Sequence, residues 1–592
     1  MKILLQQIIT GISIGSIYAL IASGYALVYS LLDFSNWAHG EVCMLGAYVC
    51  FMATQVDAIP FWLACVIGIG GAAVISFLNE RVAYRRIRNN GSPNMFLMIA
   101  AMGLSTTYQN LANVIWKSKF KQLPKLFKVG TINISGIFIG KTDMLCLALS
   151  AIALVILLFL INKTKFGLHV RAVACSSRTA GLLGIKIDRV IAMVFLLAGA
   201  LAGLAGITYG MKYNIYPTMG NVGLKAFIAS VIGGLGSVPG AIAGALLLGL
   251  IETVVSGYIS SGLRDLISFC LLIVILLVRP SGLFGVDVQE KCIGGENHVE
   301  FVSGRCSGYL LCEHDRRARY VCAHRIYPSV SFGNAGFMSI GAYAAAICSV
   351  QFKLPFVLSI LIGAAIAGIV SYILGSLTIR LRGDYFLISC LGFGECVRVL
   401  FNYTKDITGG ANGYSNIPYR TTGAVAVVCT VLAFIIAWNF IHSRYGQALT
   451  AIRENEMAAA ANGINVVRYK KMSFVFSAIY AGWAGGLYAH YLRFITPTLF
   501  NLGKSSELVI TTVLGGLGSL TGSVLGTLIV QILPEIFRSM SEYRMLFYGI
   551  AVVLVILLRP NGLCGYWEFS LTRLVQKIRN IGKKTAKENS HE

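Results

Sequence analysis

The stretch FIASVIGGLGSVPGAIAGALLLG, residues 227–249, returns as VITTVLGGLGSLTGSVLGTLIVQ at 509–531. Both carry Gly-Gly-Leu-Gly-Ser inside an apolar run. Around them further pieces recur in the same order. RPSGLFG (279–285) is repeated as RPNGLCG (559–565), and AGLAG (202–206) as AGWAG (481–485). Gly167 with Gly184–Ile185 is matched by Gly446 with Gly463–Ile464, and GEVCMLGAYV (40–49) by AGFMSIGAYA (335–344). The offsets are 279 to 282 residues in the later pieces and 295 at the Gly-Ala-Tyr motif. One module of about 1–286 is therefore present again at about 329–566, in the same order.

Composition says what kind of module this is. Of 592 residues, 56% are hydrophobic and 12% charged, half the charge of an ordinary soluble domain. Apolar runs long enough to cross a bilayer cover 3–31, 59–79, 143–162, 190–210, 264–278, 355–378, 423–441 and 543–558. The first run exceeds a signal-peptide core and reads as a retained helix. The net charge of +24 lies in the gaps, at Arg81, Arg85, Arg86 and Arg88, across Lys163–Arg189, and in the tail Lys577–Lys587. This is the pattern of cytoplasmic loops rather than of a nucleic-acid surface, although Lys117–Lys128 interrupts a strict alternation. The expected fold is all-α and polytopic, with two homologous helical modules in a parallel pseudo-two-fold arrangement about the membrane normal. A transport path between the halves is the expected function; a duplicated structural scaffold would show the same pattern.

Paired glycine interruptions, Gly233, Gly234 and Gly236 in one half and Gly515, Gly516 and Gly518 in the other, point to broken or re-entrant helices near such a path. The alternative is a tight turn between two short helices. If Lys163–Arg189 and Arg279 share the cytoplasm, 224–235 and 239–256 must be separate segments, which gives four crossings. Gly199–Gly203, Gly240–Gly244 and Gly522–Gly526 are pairs that let apolar helices approach closely. Neither Gly-rich stretch is a phosphate loop. The nearest approach to that pattern, TLFNLGKS at 498–505, has Thr498 where the first glycine must stand.

Polar residues inside apolar segments are candidates for the path or its hinges. They are Asn36, His39 and Glu41 in SNWAHGE, Asn334 in SFGNAG, and Glu395 with Arg398 in LGFGECVR. Glu395 and Arg398 stand i, i+3 and can pair on one helix face, and His39 can equally be a satisfied interior histidine. No Ser/His/Asp or metal-ligand constellation recurs in both halves, so no enzymatic reaction is expected. GLHVRAVACSSRTAGLLGIKIDRV (167–190) and GQALTAIRENEMAAAANGINVVRYK (446–470) each read as a cytoplasm-facing amphipathic helix ending in Gly-Ile. Glycine there suits the left-handed residue after a helix. One such segment per half suits docking to a two-fold cytoplasmic partner.

At these residues the sequence resembles the permeases of bacterial branched-chain amino acid ABC transporters. The first half is similar to the LivH type through GISIGSIYALIASGYALVYSLLDFSNWAHGE, GLLGIKIDRV and RPSGL. The second is similar to the LivM type through VSFGNAGFMSIGAYAA, LRGDYFLISCLGFGE, ITGGANGYSNIP, AIRENEMAAAANGI and RPNGL. The resemblance implies a multi-pass protein of the bacterial inner membrane that imports branched-chain or other hydrophobic amino acids by alternating access. Permeases for urea and short amides look similar, and a passive channel is the remaining alternative. The resemblance further implies two separate cytoplasmic ATPase subunits, which use the ATP, and a periplasmic or lipid-anchored amino acid binding protein. No cofactor is expected on this chain itself, and its only other partner is lipid. The ATPase-coupling positions implied are Ala172, Arg178, Ala180 and Gly184, and Glu454, Ala459 and Gly463. The first segment departs from the family's acidic pattern, with Cys175-Ser-Ser-Arg178 in its place.

Between the halves lies 287–328, with Cys292, Cys306, Cys312 and Cys322 beside His298, His314 and His324. Its spacing, C-x₅-C-x-H-x₇-C-x-H, lacks the paired arms of zinc modules. Twelve of the 40 residues from 287 to 326 are charged, which forbids a lipid span. Aligning the two Gly-Ala-Tyr motifs sets this polar stretch opposite the apolar helix 7–31. It reads as a disordered junction, with an out-of-frame join as the leading explanation, and as a linker or metal site otherwise. The second module would then lack its first helix, and 567–592 would form a basic cytoplasmic tail.

Overall fold

The computed structural model describes residues 2–91, 94–124, 131–134, 137–285, 331–379, 381, 384–516, 519–536, 543–558 and 562. The junction 287–328, its cysteines and histidines, Gly518 and the tail 567–592 lie outside the described residues. Among those described, eight helices are long and apolar enough to cross a membrane. One small departure from an all-helical chain is the antiparallel hairpin β1 (Thr131–Ile134) and β2 (Ile137–Gly140). Alternating β-branched residues in TINI favour this over helix.

The first half is built around α1 (Lys2–Leu32), which packs lengthwise on α11 (Val238–Tyr258). The contact depends on small residues: a Cβ on Gly11 would stand 3.0 Å from Leu250 Cα, and one on Gly15 3.0 Å from Leu246 Cα. Without water to drive association, such backbone approach is how membrane helices gain dispersion contacts. On the other flank, α2 (His39–Thr54), α3 (Phe61–Asn79) and α9 (Ile187–Lys212) pack together. Gly199 and Gly203 of α9 meet α3, as their spacing predicts. α3 runs on through a π-helical turn, Glu80–Tyr84, into α4 (Arg85–Asn89). There Arg85 and Arg88 bind Asp188 at 2.6 and 2.7 Å, and Arg88 reaches Glu80 at 3.2 Å. α5 (Asn94–Trp116), α6 (Lys141–Lys163), α7 (Lys165–Cys175), α8 (Ser177–Leu182), α10 (Val222–Gly233) and α12 (Arg264–Val278) complete this half.

The second half repeats the order. Its helices are α13 (Asn334–Val350), α14 (Phe356–Thr378), α15 (Asp384–Tyr403), the short α16 (Lys405–Thr408), α17 (Gly423–His442), α18 (Arg444–Glu454), α19 (Glu456–Ala461), α20 (Val466–Leu492), α21 (Leu502–Gly515), α22 (Leu520–Ile536) and α23 (Arg544–Leu558). Repeated sequence gives repeated detail. Gly206 presses on the carbonyl of Cys43 and Gly485 on that of Met338, each with a virtual Cβ 2.0 Å from the oxygen. Lys121 bridges to Ile215 in one half, and Tyr414 to Ile495 in the other. Lys121 lies beyond the end of α5 opposite the Arg85–Arg88 cluster, so the Lys117–Lys121 group caps the far end of the helices.

One difference separates the two halves. On α11, Leu246 and Leu250 are covered by α1. Their counterparts on α22, Leu528 and Ile532, are exposed by 50% and 52%.

The halves meet chiefly through α5 on α23 and α12 on α15. A Cβ on Gly103 would lie 2.8 Å from Val553 Cγ2, and one on Gly392 3.2 Å from Leu272 Cδ2.

Candidate functional site

The glycine interruptions are turns. α10 ends at Gly233, and Gly234 and Gly236 hold φ of +117° and +83°, a region that L side chains rarely enter. Ser237 Oγ then accepts from Gly240 N at 3.2 Å and starts α11. α10 and α11 are thus separate segments. Gly516, with φ +123°, follows Gly515 at the end of α21 in the same way.

The turn is also clasped by the other repeated motif. Leu283 N donates to Ile232 O at 2.9 Å, and Phe284 N to Gly233 O at 2.8 Å. Gly282, at φ +81°, would place a Cβ 2.6 Å from Gly234 Cα, and Gly562, at φ +79°, one 2.7 Å from Gly516 Cα. GGLGS and RPSGL, unrelated in sequence, are two sides of one contact at the arginine-rich end.

At that same end stand the paired polar segments. Each is two short helices rather than the single helix expected. Ser176 is extended at φ −155°, and its Oγ accepts from Thr179 N at 3.2 Å, so a new helix starts there. Asn455, at φ −157°, does the same with Ala458 N at 2.9 Å. A side chain that caps a second helix ends the first one. Ala172 lies on α7, Arg178 and Ala180 on α8, Glu454 at the end of α18 and Ala459 on α19. Gly184 and Gly463, both at φ +82°, close the second helices. Ile185 N donates to Ala180 O and Ile464 N to Ala459 O, each at 3.1 Å, the six-to-one bond of a Schellman cap. Each outer face presents a large apolar side chain among polar ones, with Leu182 83% and Met457 81% exposed. Glu454 pairs with Arg453, and Glu456 with Lys470 at 2.7 Å.

The intramembrane candidates separate. Asn36 accepts from Tyr84 Oη at 2.8 Å and is an internal strut. His39 is buried inside the first half, edge-on to Tyr25 at 4.8 Å, and neither ring nitrogen has a hydrogen-bond partner among the described residues. Glu41 is buried over Gly220, just before α10, and accepts from Ser105 Oγ at 3.4 Å. Asn334 begins α13. Glu395 pairs with Arg398 at 2.6 Å, the i, i+3 contact that their spacing predicts.

A further buried charge cluster has no counterpart among the residues that sequence reading singled out. Lys225 on α10 binds Glu252 at 3.0 Å and Asp265 at 2.8 Å, while Tyr18 Oη and Ser268 Oγ donate to Glu252 at 3.1 and 3.3 Å. A lysine in LKAFIAS and a glutamate in LIETV, each alone in an apolar run, were its signal. A lone intramembrane charge calls for an opposite one.

The family described as branched-chain amino acid transport system, permease component, matches residues 7–276 and 326–557. The high-affinity branched-chain amino acid transport system permease protein LivH of Escherichia coli is 40% identical over 301 residues, covering 48% of this chain and 97% of the relative. BraD of Pseudomonas aeruginosa, of the same description, is 36% identical with the same coverage. LivM of Escherichia coli is 32% identical over 282 residues, covering 42% of this chain and 65% of the relative.

Proposed function

The chain belongs to the family of permease components of branched-chain amino acid transport systems, and from that premise we propose that its two halves form one alternating-access importer. It is a multi-pass membrane permease and not an enzyme. The halves are related by an axis along the membrane normal, and the substrate crosses between them. The supporting observation is the way they meet. Gly103 of Met-Gly-Leu touches Val552 and Val553, and Gly392 of Leu-Gly-Phe touches Leu272 and Ile273. Leu272 and Ile273 precede RPSGL by the same number of residues as Val552 and Val553 precede RPNGL. Equivalent surfaces exchanged in this way are the signature of a two-fold relation. α10, with 12 residues, spans about half a bilayer, so the chain from Tyr213 to Gly233 is a broken crossing.

The arginine-rich end faces the cytoplasm of the bacterial inner membrane. There α7–α8 and α18–α19 each seat one ATPase subunit, with Leu182, Leu183 and Met457 as apolar contacts. The binding protein delivers a branched-chain or other hydrophobic amino acid to the opposite face. ATP is consumed by the partners. Residues 1–286 form the LivH-like module and 329–566 the LivM-like module. The exposed face of α22 supports the reading that 287–328 stands where a first helix belongs. Uptake of labelled leucine into vesicles tests the whole: accumulation must require the ATPases, and uptake that survives their removal would refute the importer reading.

A further inference from the structure

Trp37 and Phe332 stand nine residues before the first glycine of their respective Gly-Ala-Tyr motifs, so they occupy equivalent places in the two halves. Their rings meet, with centroids 5.9 Å apart. Residues related by a two-fold axis touch each other only at that axis, here within about 3 Å of it. A second equivalent pair lies beside them. Met98 and Leu387 each stand five residues before the interface glycines Gly103 and Gly392, and both line the same small cavity as Trp37 and Phe332. That cavity is about 10 Å³, room for at most one water. Ser35 Oγ donates to Asp384 Oδ2 at 3.4 Å on its wall, another link between the halves.

We propose that Trp37 and Phe332, with Met98 and Leu387, form the cytoplasmic gate of the substrate path. The assignment rests on the axial path proposed above. Three observations favour a gate over ordinary packing. The plug sits on the axis, where any path between equivalent halves must run. Its exposed lining is mostly apolar and leaves room for at most one water, and such a constriction blocks polar solutes without a rigid barrier. It also lies toward the end that bears α7–α8 and α18–α19, since Met98 is in the first turns of α5 and Asp384 begins α15. Trp37 is held from behind by Phe227 of α10, ring to ring at 5.4 Å, so a shift of that half-helix moves the gate. The indole N–H of Trp37 is buried without a hydrogen-bond partner among the described residues. It is a donor that a substrate carboxylate entering the gap would accept from, while the aromatic and aliphatic lining suits an apolar side chain.

The test uses the full chain in liposomes preloaded with labelled leucine. Wild type without ATPases should hold its load, whereas the double variant Trp37→Ala, Phe332→Ala should release it roughly tenfold faster or more, because the apolar barrier is removed. A correctly inserted double variant as tight as wild type would overturn the gate. If that variant fails to insert, Trp37→Cys with Phe332→Cys decides. In a background carrying Cys270→Ser and Cys396→Ser, joining the pair with a short bismaleimide should abolish ATP-driven uptake in the complex with ATPases and binding protein. Unchanged uptake after complete cross-linking would refute the proposal. Failure of wild type itself to accumulate leucine with ATP would instead refute the importer reading, and the leak measurement needs no ATPase.

Discussion

Cys270 of α12 and Cys396 of α15 face each other across the boundary between the halves, Sγ to Sγ at 3.8 Å. On the other side of the molecule Thr107 stands in the place of Cys396 and touches Gly549, the neighbour of Ile550, which stands in the place of Cys270. A covalent bond here would tie the halves together at one of their two seams. Copper-phenanthroline with dioxygen as the terminal oxidant should take two electrons and two protons from the two thiols to form a disulfide and arrest ATP-driven uptake, and reductant should restore it. Cys270→Ser should remain active and insensitive. Uptake that continues in fully oxidised protein would mean that this seam stays closed during transport.

The Lys225–Glu252 pair supplies a stability prediction. Glu252 is 1% exposed and receives Lys225, Tyr18 and Ser268 together. Removing one partner of a buried pair costs up to about 3–5 kcal/mol, a figure that Arg264, 3.9 Å from Glu252, reduces here. Lys225→Ala should therefore lower the melting temperature in detergent well below that of wild type. Lys225→Met with Glu252→Gln should recover most of the loss, because Asp265 and Arg264, 3.6 Å apart, are left to pair with each other. A double variant as unstable as the single one would show that the pair holds the fold by some other means.

Gly463 separates backbone conformation from packing. A Cβ there meets nothing within 4 Å, so the only penalty of substitution is the φ of +82°. That penalty is about 1–2 kcal/mol for an ordinary residue and less for asparagine. Gly463→Val should insert normally yet reduce ATP-driven uptake and co-purification of the ATPases, and Gly463→Asn should retain more of both. Equal behaviour of Val and Asn would remove the left-handed cap from the coupling argument.

Gly206 and Gly485 make the reverse case. Each has an ordinary helical environment but no room, with a neighbouring carbonyl 2.0 Å from a virtual Cβ. Either residue changed to alanine must push two helices apart, at about 1–3 kcal/mol for overpacking. Thermal unfolding followed by size-exclusion should show a lower midpoint for both, by similar amounts. A drop in only one half would show that the two packing sites are not equivalent.

Much of this was legible in residue order. The repeat of 227–249 at 509–531 implied two modules, and the matching glycines at 184 and 463 implied matched caps. The i, i+3 spacing of Glu395 and Arg398 implied their pairing. Other features could not be read so. A hydropathy pattern treats Trp37 and Phe332 as two apolar residues 295 positions apart, and nothing local says that they touch. The single amphipathic helix expected at 167–190 became two, because Ser176 competes for a backbone donor that propensity alone assigns to a continuing helix. Glu252 and Lys225 look like isolated costs until folding brings their segments together.

The sequence by itself determined the membrane environment, the duplication and the family, because composition, repeat and motif survive in one dimension. Only the tertiary structure decided which equivalent residues face each other. Two copies of a module can be joined through any of their surfaces, and the surface used depends on contacts between helices remote in the chain. Packing of Gly103 against Val553 and Gly392 against Leu272 brings Trp37 onto Phe332. That is a property of close-packed volumes, which no local pattern encodes.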